Sequence, residues 1–147
     1  MTAKKNRSYE LIVKSETSQL VAIRDFISEK AKENLIQDFI LNAIILAVDE
    51  AATNIVKHAY NYNPENTINI KLIISDKDCT IVLTDFGKSF DPSVIPQPDM
   101  KEYLSQHRVG GLGLLLIRTL MDSMEYIVSP EGFNRLILKK VFDKAVV

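Results

Sequence analysis

The sequence is poor in several things, and each shortage narrows the field. Its 147 residues include one cysteine, Cys79, so no internal disulfide can form and a reducing compartment suits the chain. Cys79 falls at the start of a predicted strand, where it reads as a small core residue rather than a nucleophile. No cluster of lysine and arginine marks a nucleic-acid or anionic-membrane surface, and 18 basic residues against 19 acidic ones leave a formal net charge of -1. No apolar run approaches the roughly 18 residues that a membrane span requires. The N-terminus, MTAKKNRSYE, is basic but leads into no apolar stretch of the secretory kind. These shortages predict a cytoplasmic protein without a membrane anchor.

What is present is a globular composition. An apolar fraction of 46% suffices for a core, and the length fits a single domain over residues 1–147. No internal repeat is visible.

Tyr9–Val13 predicts an opening strand, and Ser15–Ser18 offers several helix caps. Leu20, Ile23, Phe26 and Ile27 keep a helical rhythm to about Lys32. A second helix is expected from Asn34 or Leu35 to about His58, stopped by Asn61-Tyr62-Asn63-Pro64. Its Ala43, Ala47, Ala51 and Ile55 recur every four residues and build an apolar stripe. Ile68, Ile70, Leu72 and Ile74 then alternate with polar neighbours, a half-buried strand. A turn at Ser75–Asp78 joins it to Thr80–Thr84, so the pair reads as a hairpin. Phe90–Val109, with three prolines, is an unusually long loop for so small a domain, and such loops are commonly lids or disordered. After Gly110–Gly113, a helix opened by Leu114 and running to about Met121, then strands at Glu125–Ser129 and Arg135–Phe142, close the chain. The order is β-α-α-β-β-lid-α-β-β. It predicts an α+β two-layer sandwich, a mainly antiparallel sheet covered on one face by helices, with a core over about 9–142.

Three stretches carry chemistry. In LAVDEAATNIVKHAY, Glu50, Asn54 and His58 are spaced by four and stack along one line of the second helix. Such a line is a solvated face or a site. Asn54 can ligate a hard cation through its amide oxygen, since Mg²⁺ takes few protein ligands beside phosphates and water. Glu50, one turn earlier, can orient or deprotonate a hydroxyl or water at a terminal phosphate. His58 caps the helix end or bonds the following loop as readily as it touches a ligand.

The second stretch is Asp85-Phe86-Gly87, at the end of a strand. It is a plain turn, or a carboxylate that accepts the exocyclic amine of adenine beside a glycine that lets the flat base approach. Guanine offers a carbonyl at that position and would be rejected. The third is Gly110-Gly111-Leu112-Gly113, at a helix start. It is a flexible loop, or a set of backbone amides aimed at phosphate with the helix dipole behind them. It is neither a Walker A motif nor a Rossmann fingerprint. Arg108 in the lid is a solvated arginine or a charge stabiliser at a γ-phosphate.

Together and in this order, LAVDEAATNIVKHAY, DFGKSFDP and GGLGLLLIRTLMD resemble the histidine-kinase-like ATPase superfamily, the Bergerat fold shared with gyrase B and MutL. At this size they look closest to the anti-sigma-factor serine kinases of the RsbW type. The resemblance runs from about Tyr9 to Val141. It implies binding of ATP or ADP with Mg²⁺, and transfer of the γ-phosphate to a serine or threonine of a STAS-domain anti-anti-sigma factor. It also implies a sigma factor as alternative partner, a homodimer, and an ATP lid over about 90–110. By the same resemblance Glu50 matches the general base and Asn54 the metal ligand, Asp85 and Gly87 the adenine-box positions, and Gly111 and Gly113 the phosphate-loop positions; Arg108 in the lid stands beside Glu50 as a catalytic candidate. The ATP-binding positions would be Asn54, Lys57, His58, Asp85, Gly87, Phe90, Gly110, Gly111, Leu112, Gly113 and Leu114.

The chain departs from the family pattern twice. Lys88-Ser89 stands where the adenine box usually continues to a second glycine, and Asn134 offers an amide where a threonine hydroxyl is usual. No dimerisation helix pair of the histidine-kinase sort is present, so autophosphorylation on His58 or His107 is not expected. A regulator-binding module that uses nucleotide only as a switch, or not at all, is the competing reading. Such a module would not need Glu50.

Overall fold

In a computed structural model, the structure describes residues 6–89 and 109–142. Five strands, β1 (Arg7–Lys14), β2 (Thr67–Ile74), β3 (Asp78–Asp85), β4 (Ser123–Val128) and β5 (Asn134–Val141), form one sheet in the order β1-β2-β3-β5-β4. Every neighbouring pair is antiparallel. Among the described residues three α-helices, α1 (Leu20–Glu33), α2 (Asp38–Asn54) and α3 (Val109–Leu120), accompany the sheet, with a short 3-10 turn at Thr17–Gln19 before α1. This is the α+β two-layer sandwich that the sequence pattern predicts.

The alternation in β2 and β3 decides which face is covered. Ile68, Ile70, Leu72, Ile74, Cys79, Ile81 and Leu83 are all buried, and the residues between them are not. They meet Ile23 and Ile27 of α1, Ile44, Ala47, Val48 and Ala51 of α2, and Ile117 of α3 in one core. Removing each large side chain from water contributes about 1.5–3 kcal/mol. Burial, with Asp78 nearby as a lesser cause, pushes the Cys79 thiol up to about 12, so it stays protonated and inert.

The helix boundary near residue 35 differs from the sequence expectation. Asn34 caps α1, Leu35 turns left-handed with φ 58, and α2 begins only at Asp38 after an extended Gln37. Leu35 N–H donates to Lys32 O at 3.2 Å and Ile36 N–H to Ala31 O at 3.0 Å, the paired bonds of a Schellman ending. That position usually needs glycine, so a leucine there leaves no signal in the sequence. The predicted alanine stripe on α2 is also broader than expected. Ala47, Ala51 and Ile55 are buried as read, Ala43 is half-buried, and Ile40, Leu41, Ile44 and Val48 carry much of the packing.

The 22 residues Asp38–Ala59 are long and apolar enough, by length and composition alone, to cross a membrane. Reading uninterrupted runs missed this, because charges at Asp49, Glu50 and Lys57 break the stretch. The structure gives the apolar character another purpose. α1 and α3 both pack against α2, which also contacts the sheet at β3, as expected of a central core helix.

Candidate functional site

The candidate residues cluster where the turn after α2, at Ala59 and Tyr60, meets the end of β3 and the start of β5. α2 does not stop cleanly. Ile55–Ala59 widens into a π-helical turn, and Tyr60 N–H reaches back five residues to Ile55 O at 3.0 Å. The widening breaks the line of three residues read from the sequence. Asn54 is buried at 9% exposure, Glu50 is half-buried one turn before it, and His58 falls in the wide turn and is exposed. Spacing by four holds the same face only while the helix keeps its ordinary pitch. Lys57 is half-buried in the same turn.

Asn54 is a buried amide, and its side chain bonds to no other described residue, although its polar atoms are not sealed from solvent. A buried polar group left in that condition suits a ligand. Among the described residues no three of His, Cys, Asp and Glu come together to hold a metal. A divalent cation at Asn54 would therefore take most of its ligands from phosphate and water, which is how Mg²⁺ is commonly held. The carboxylate next to Glu50, Asp49, is engaged by Arg24 of α1 at 3.4 Å. Glu50 is left without such a partner among the described residues.

Asp85 closes β3 and faces Asn134 across the β3–β5 ladder. It is 3% exposed. Its Oδ1 accepts from Gly87 N–H at 2.9 Å and from Asn134 Nδ2 at 2.9 Å. The second proton of Asn134 Nδ2 goes to Gly87 O at 2.9 Å. Oδ2 has no donor among the described residues and is not sealed from solvent. One oxygen is thus saturated by the fold and the other is open to a donor from outside. Burial holds the carboxyl above its usual range, and the Asn134 and Gly87 hydrogen bonds partly counter it.

Gly87 is required by close approach. A Cβ there would collide with the Ala59 carbonyl oxygen, lying 2.7 Å from its carbon and 2.9 Å from Tyr60 Cδ1. Lys88 N–H donates to Ala59 O at 2.8 Å, so the turn after β3 is tied to the end of α2. Lys88 and Ser89 are exposed. Tyr60, to which the sequence reading gave no role, is buried at 6% beside this turn. Its signal was an aromatic ring with a polar handle, which when buried calls for a partner.

The glycine-rich stretch lies inside the first turns of α3, not before it, since α3 starts at Val109. Glycine weakens a helix interior, which is why the sequence favoured a later start. The first four N–H groups of a helix lack intrahelical partners. In α3 they belong to Val109, Gly110, Gly111 and Leu112, so the stretch supplies amides without an intrahelical acceptor. Gly113 and Leu114 follow in the same helix. Phe90 and Arg108, with the expected lid between them, lie outside the described residues, while Val109 and Gly110, expected at the end of that lid, open α3.

The fold agrees with comparisons to known proteins. The chain is 35% identical over 105 residues to the serine-protein kinase RsbW of Listeria monocytogenes serovar 1/2a, covering 69% of this chain and 66% of that protein. It is 43% identical over 90 residues to RsbW of Staphylococcus aureus, covering 58% and 57%. The chain therefore spans slightly under two thirds of the first of these relatives and less of the second. Among solved structures, the RsbU and RsbW domains of Rv1364c from Mycobacterium tuberculosis superpose with a TM-score of 0.67 at 14% identity, over 95% of this chain and 34% of that one. A chain of the SiaB–SiaC complex from Pseudomonas aeruginosa gives 0.61 at 13% identity, over 90% of this chain and 89% of that one. These two likenesses speak for the fold. The family model described as the histidine kinase-like ATPase domain matches residues 13–140, nearly the whole chain, which belongs to that family.

Proposed function

We propose that the chain is an ATP-dependent serine/threonine protein kinase and anti-sigma factor of a partner-switching system. Its substrate in this reading is a STAS-domain anti-anti-sigma protein. The observation that carries the nucleotide half is the Asp85 carboxylate, with one oxygen saturated by Gly87 and Asn134 and the other open. An acceptor-only group at the end of a strand suits the exocyclic amine of adenine and opposes the carbonyl of guanine. The kinase half is supported by relatives named serine-protein kinase and by Glu50, one turn from Asn54.

Each group then has a task. Asp85 Oδ2 accepts the adenine amine, and Gly87 leaves space for the ring. The α3 amides, with Gly110, Gly111, Leu112, Gly113 and Leu114 around them, receive phosphate oxygens. Asn54 would hold Mg²⁺, which neutralises phosphate charge when bound. Glu50 takes the proton of the acceptor hydroxyl as its oxygen bonds the γ-phosphorus; the bond to the bridging oxygen breaks and ADP leaves. Arg108, Phe90, Lys57 and His58 are kept as proposed contacts to the nucleotide.

The outward line of α2 suits an acceptor that is itself a protein. Phe39, 83% exposed, and Leu46, 45% exposed, share a face with Glu50 at helical spacing. A sigma factor as the alternative partner and a homodimer as the working unit complete the proposal, set in the cytoplasm. The test is transfer of label from γ-labelled ATP to a purified STAS-domain protein in the presence of Mg²⁺. Label should appear on serine or threonine and vanish with Glu50→Ala, while ATP affinity is kept. Undiminished transfer by that variant, or no transfer by the unaltered chain, contradicts the kinase reading.

A further inference from the structure

Tyr60 sits at the junction of three elements. Its ring lies against Gly87, and its hydroxyl donates to Thr67 O at the start of β2 at 2.7 Å. The same oxygen accepts the Phe86 N–H at 2.7 Å, across 26 positions of sequence. With the Lys88–Ala59 bond at 2.8 Å, both backbone amides flanking Gly87 are held by consecutive residues at the end of α2. The Gly87 N–H itself is spent on Asp85 Oδ1. Three successive N–H groups thus have fixed acceptors, and two of the three acceptors belong to Ala59 and Tyr60.

We propose that Tyr60 is a positioning residue for base selection: its hydroxyl pins the Phe86–Lys88 turn to the end of α2 and thereby fixes the open Asp85 oxygen toward the purine edge. This rests on the nucleotide reading above and deepens it. The angle of the carboxylate follows from Gly87 N–H and Asn134, and Gly87 is set by the two pins beside it. Loosening one pin lets Asp85 turn its open oxygen away or accept a different purine edge. Asp85 and Tyr60 are also electrostatically coupled. Burial raises the Tyr60 hydroxyl above its usual range; the Phe86 N–H bond works against this and the Asp85 charge adds a smaller push upward, so the hydroxyl remains a donor to Thr67.

Tyr60→Phe removes the hydroxyl and keeps the ring. The expected result is ATP affinity weaker by roughly tenfold, of the order that one lost buried hydrogen bond produces, together with a narrower preference for ATP over GTP. Ile74→Val, at the far end of β2, lowers stability without moving that preference and serves as the control. An ATP-to-GTP ratio in Tyr60→Phe equal to that of the unaltered chain would overturn the proposal. Amide hydrogen exchange on the unaltered, nucleotide-free chain gives a second arm that does not depend on the variant folding. The Phe86 and Lys88 amides should exchange slowly together; fast exchange at Phe86 would also overturn it. Because the exchange arm needs no nucleotide, a failure of the pinning and a failure of the nucleotide reading are told apart.

Discussion

Asn134 Nδ2 stands 2.9 Å from Asp85 Oδ1 and 2.9 Å from Gly87 O, so one side-chain amide binds both candidate residues at the β3 end. A hydroxyl has one proton and could satisfy only one of the two at a time. The departure from threonine at this position is therefore accommodated by the site, and the amide ties the carboxylate to the glycine turn from the β5 side. Asn134→Ala should weaken ATP binding by about tenfold and cost about 1–3 kcal/mol in folding, because Asp85 Oδ1 loses one of its two donors and Gly87 O loses the Asn134 donor. Asn134→Thr should recover part of both. Calorimetric ATP titration and urea unfolding of the two variants check this; equal behaviour of alanine and threonine would count against the double role.

Asp85 gives a pH dependence with opposite signs for binding and folding. Burial raises its carboxyl above the ordinary 3.8 in the folded chain. Between the unfolded and the folded value the folded state holds a proton that the unfolded state has released, so this group's contribution to stability falls as pH rises through that window. ATP affinity should move the other way. It should be lost on acidification through the raised value, as Asp85 gains a proton and its open oxygen stops being a full acceptor. ATP titrations across the acid range, set against Asp85→Asn, measure it. An acid loss of affinity that persists in Asp85→Asn would assign the effect elsewhere.

Much of the sheet was legible, and particular residues show why. The run Ile68, Ile70, Leu72, Ile74 alternates because one face of β2 is covered and the other is not, and that asymmetry is written in period two. The place of Asp85 at the end of β3, with Gly87 in the turn after it, was legible because the strand pattern and the turn residues are local. The break at Leu35 was not, since the left-handed residue carries a side chain where glycine usually marks the ending. Nor was the departure of His58 from the Glu50–Asn54 line, because counting by fours assumes a regular helix and the last turn is wide. The part played by Tyr60 depends on Phe86, far along the chain, and no local pattern announces such a contact.

Gly87 offers a sharper test of the tie between the turn and α2. In Gly87→Ala the new methyl group meets backbone, the Ala59 carbonyl, and not the yielding end of a side chain. The turn must move, at a cost of about 1–3 kcal/mol for overpacking, and the Lys88–Ala59 bond should open with it. Urea unfolding should report the loss, and the Lys88 amide should exchange faster. A stable Gly87→Ala protein with Lys88 still protected would mean that the turn has more room than its geometry shows.

The central claim is an adenine-selective, magnesium-linked nucleotide pocket formed by Asp85, Gly87 and Asn54. Calorimetric titration of the full chain with ATP and with GTP, each with and without Mg²⁺, tests it most directly, with Asn54→Ala alongside. The account predicts ATP binding that strengthens with Mg²⁺, GTP binding weaker by roughly 10- to 100-fold for one mismatched buried polar contact, and loss of the magnesium effect in Asn54→Ala. Equal affinity for the two nucleotides, or a magnesium effect untouched in Asn54→Ala, would contradict it.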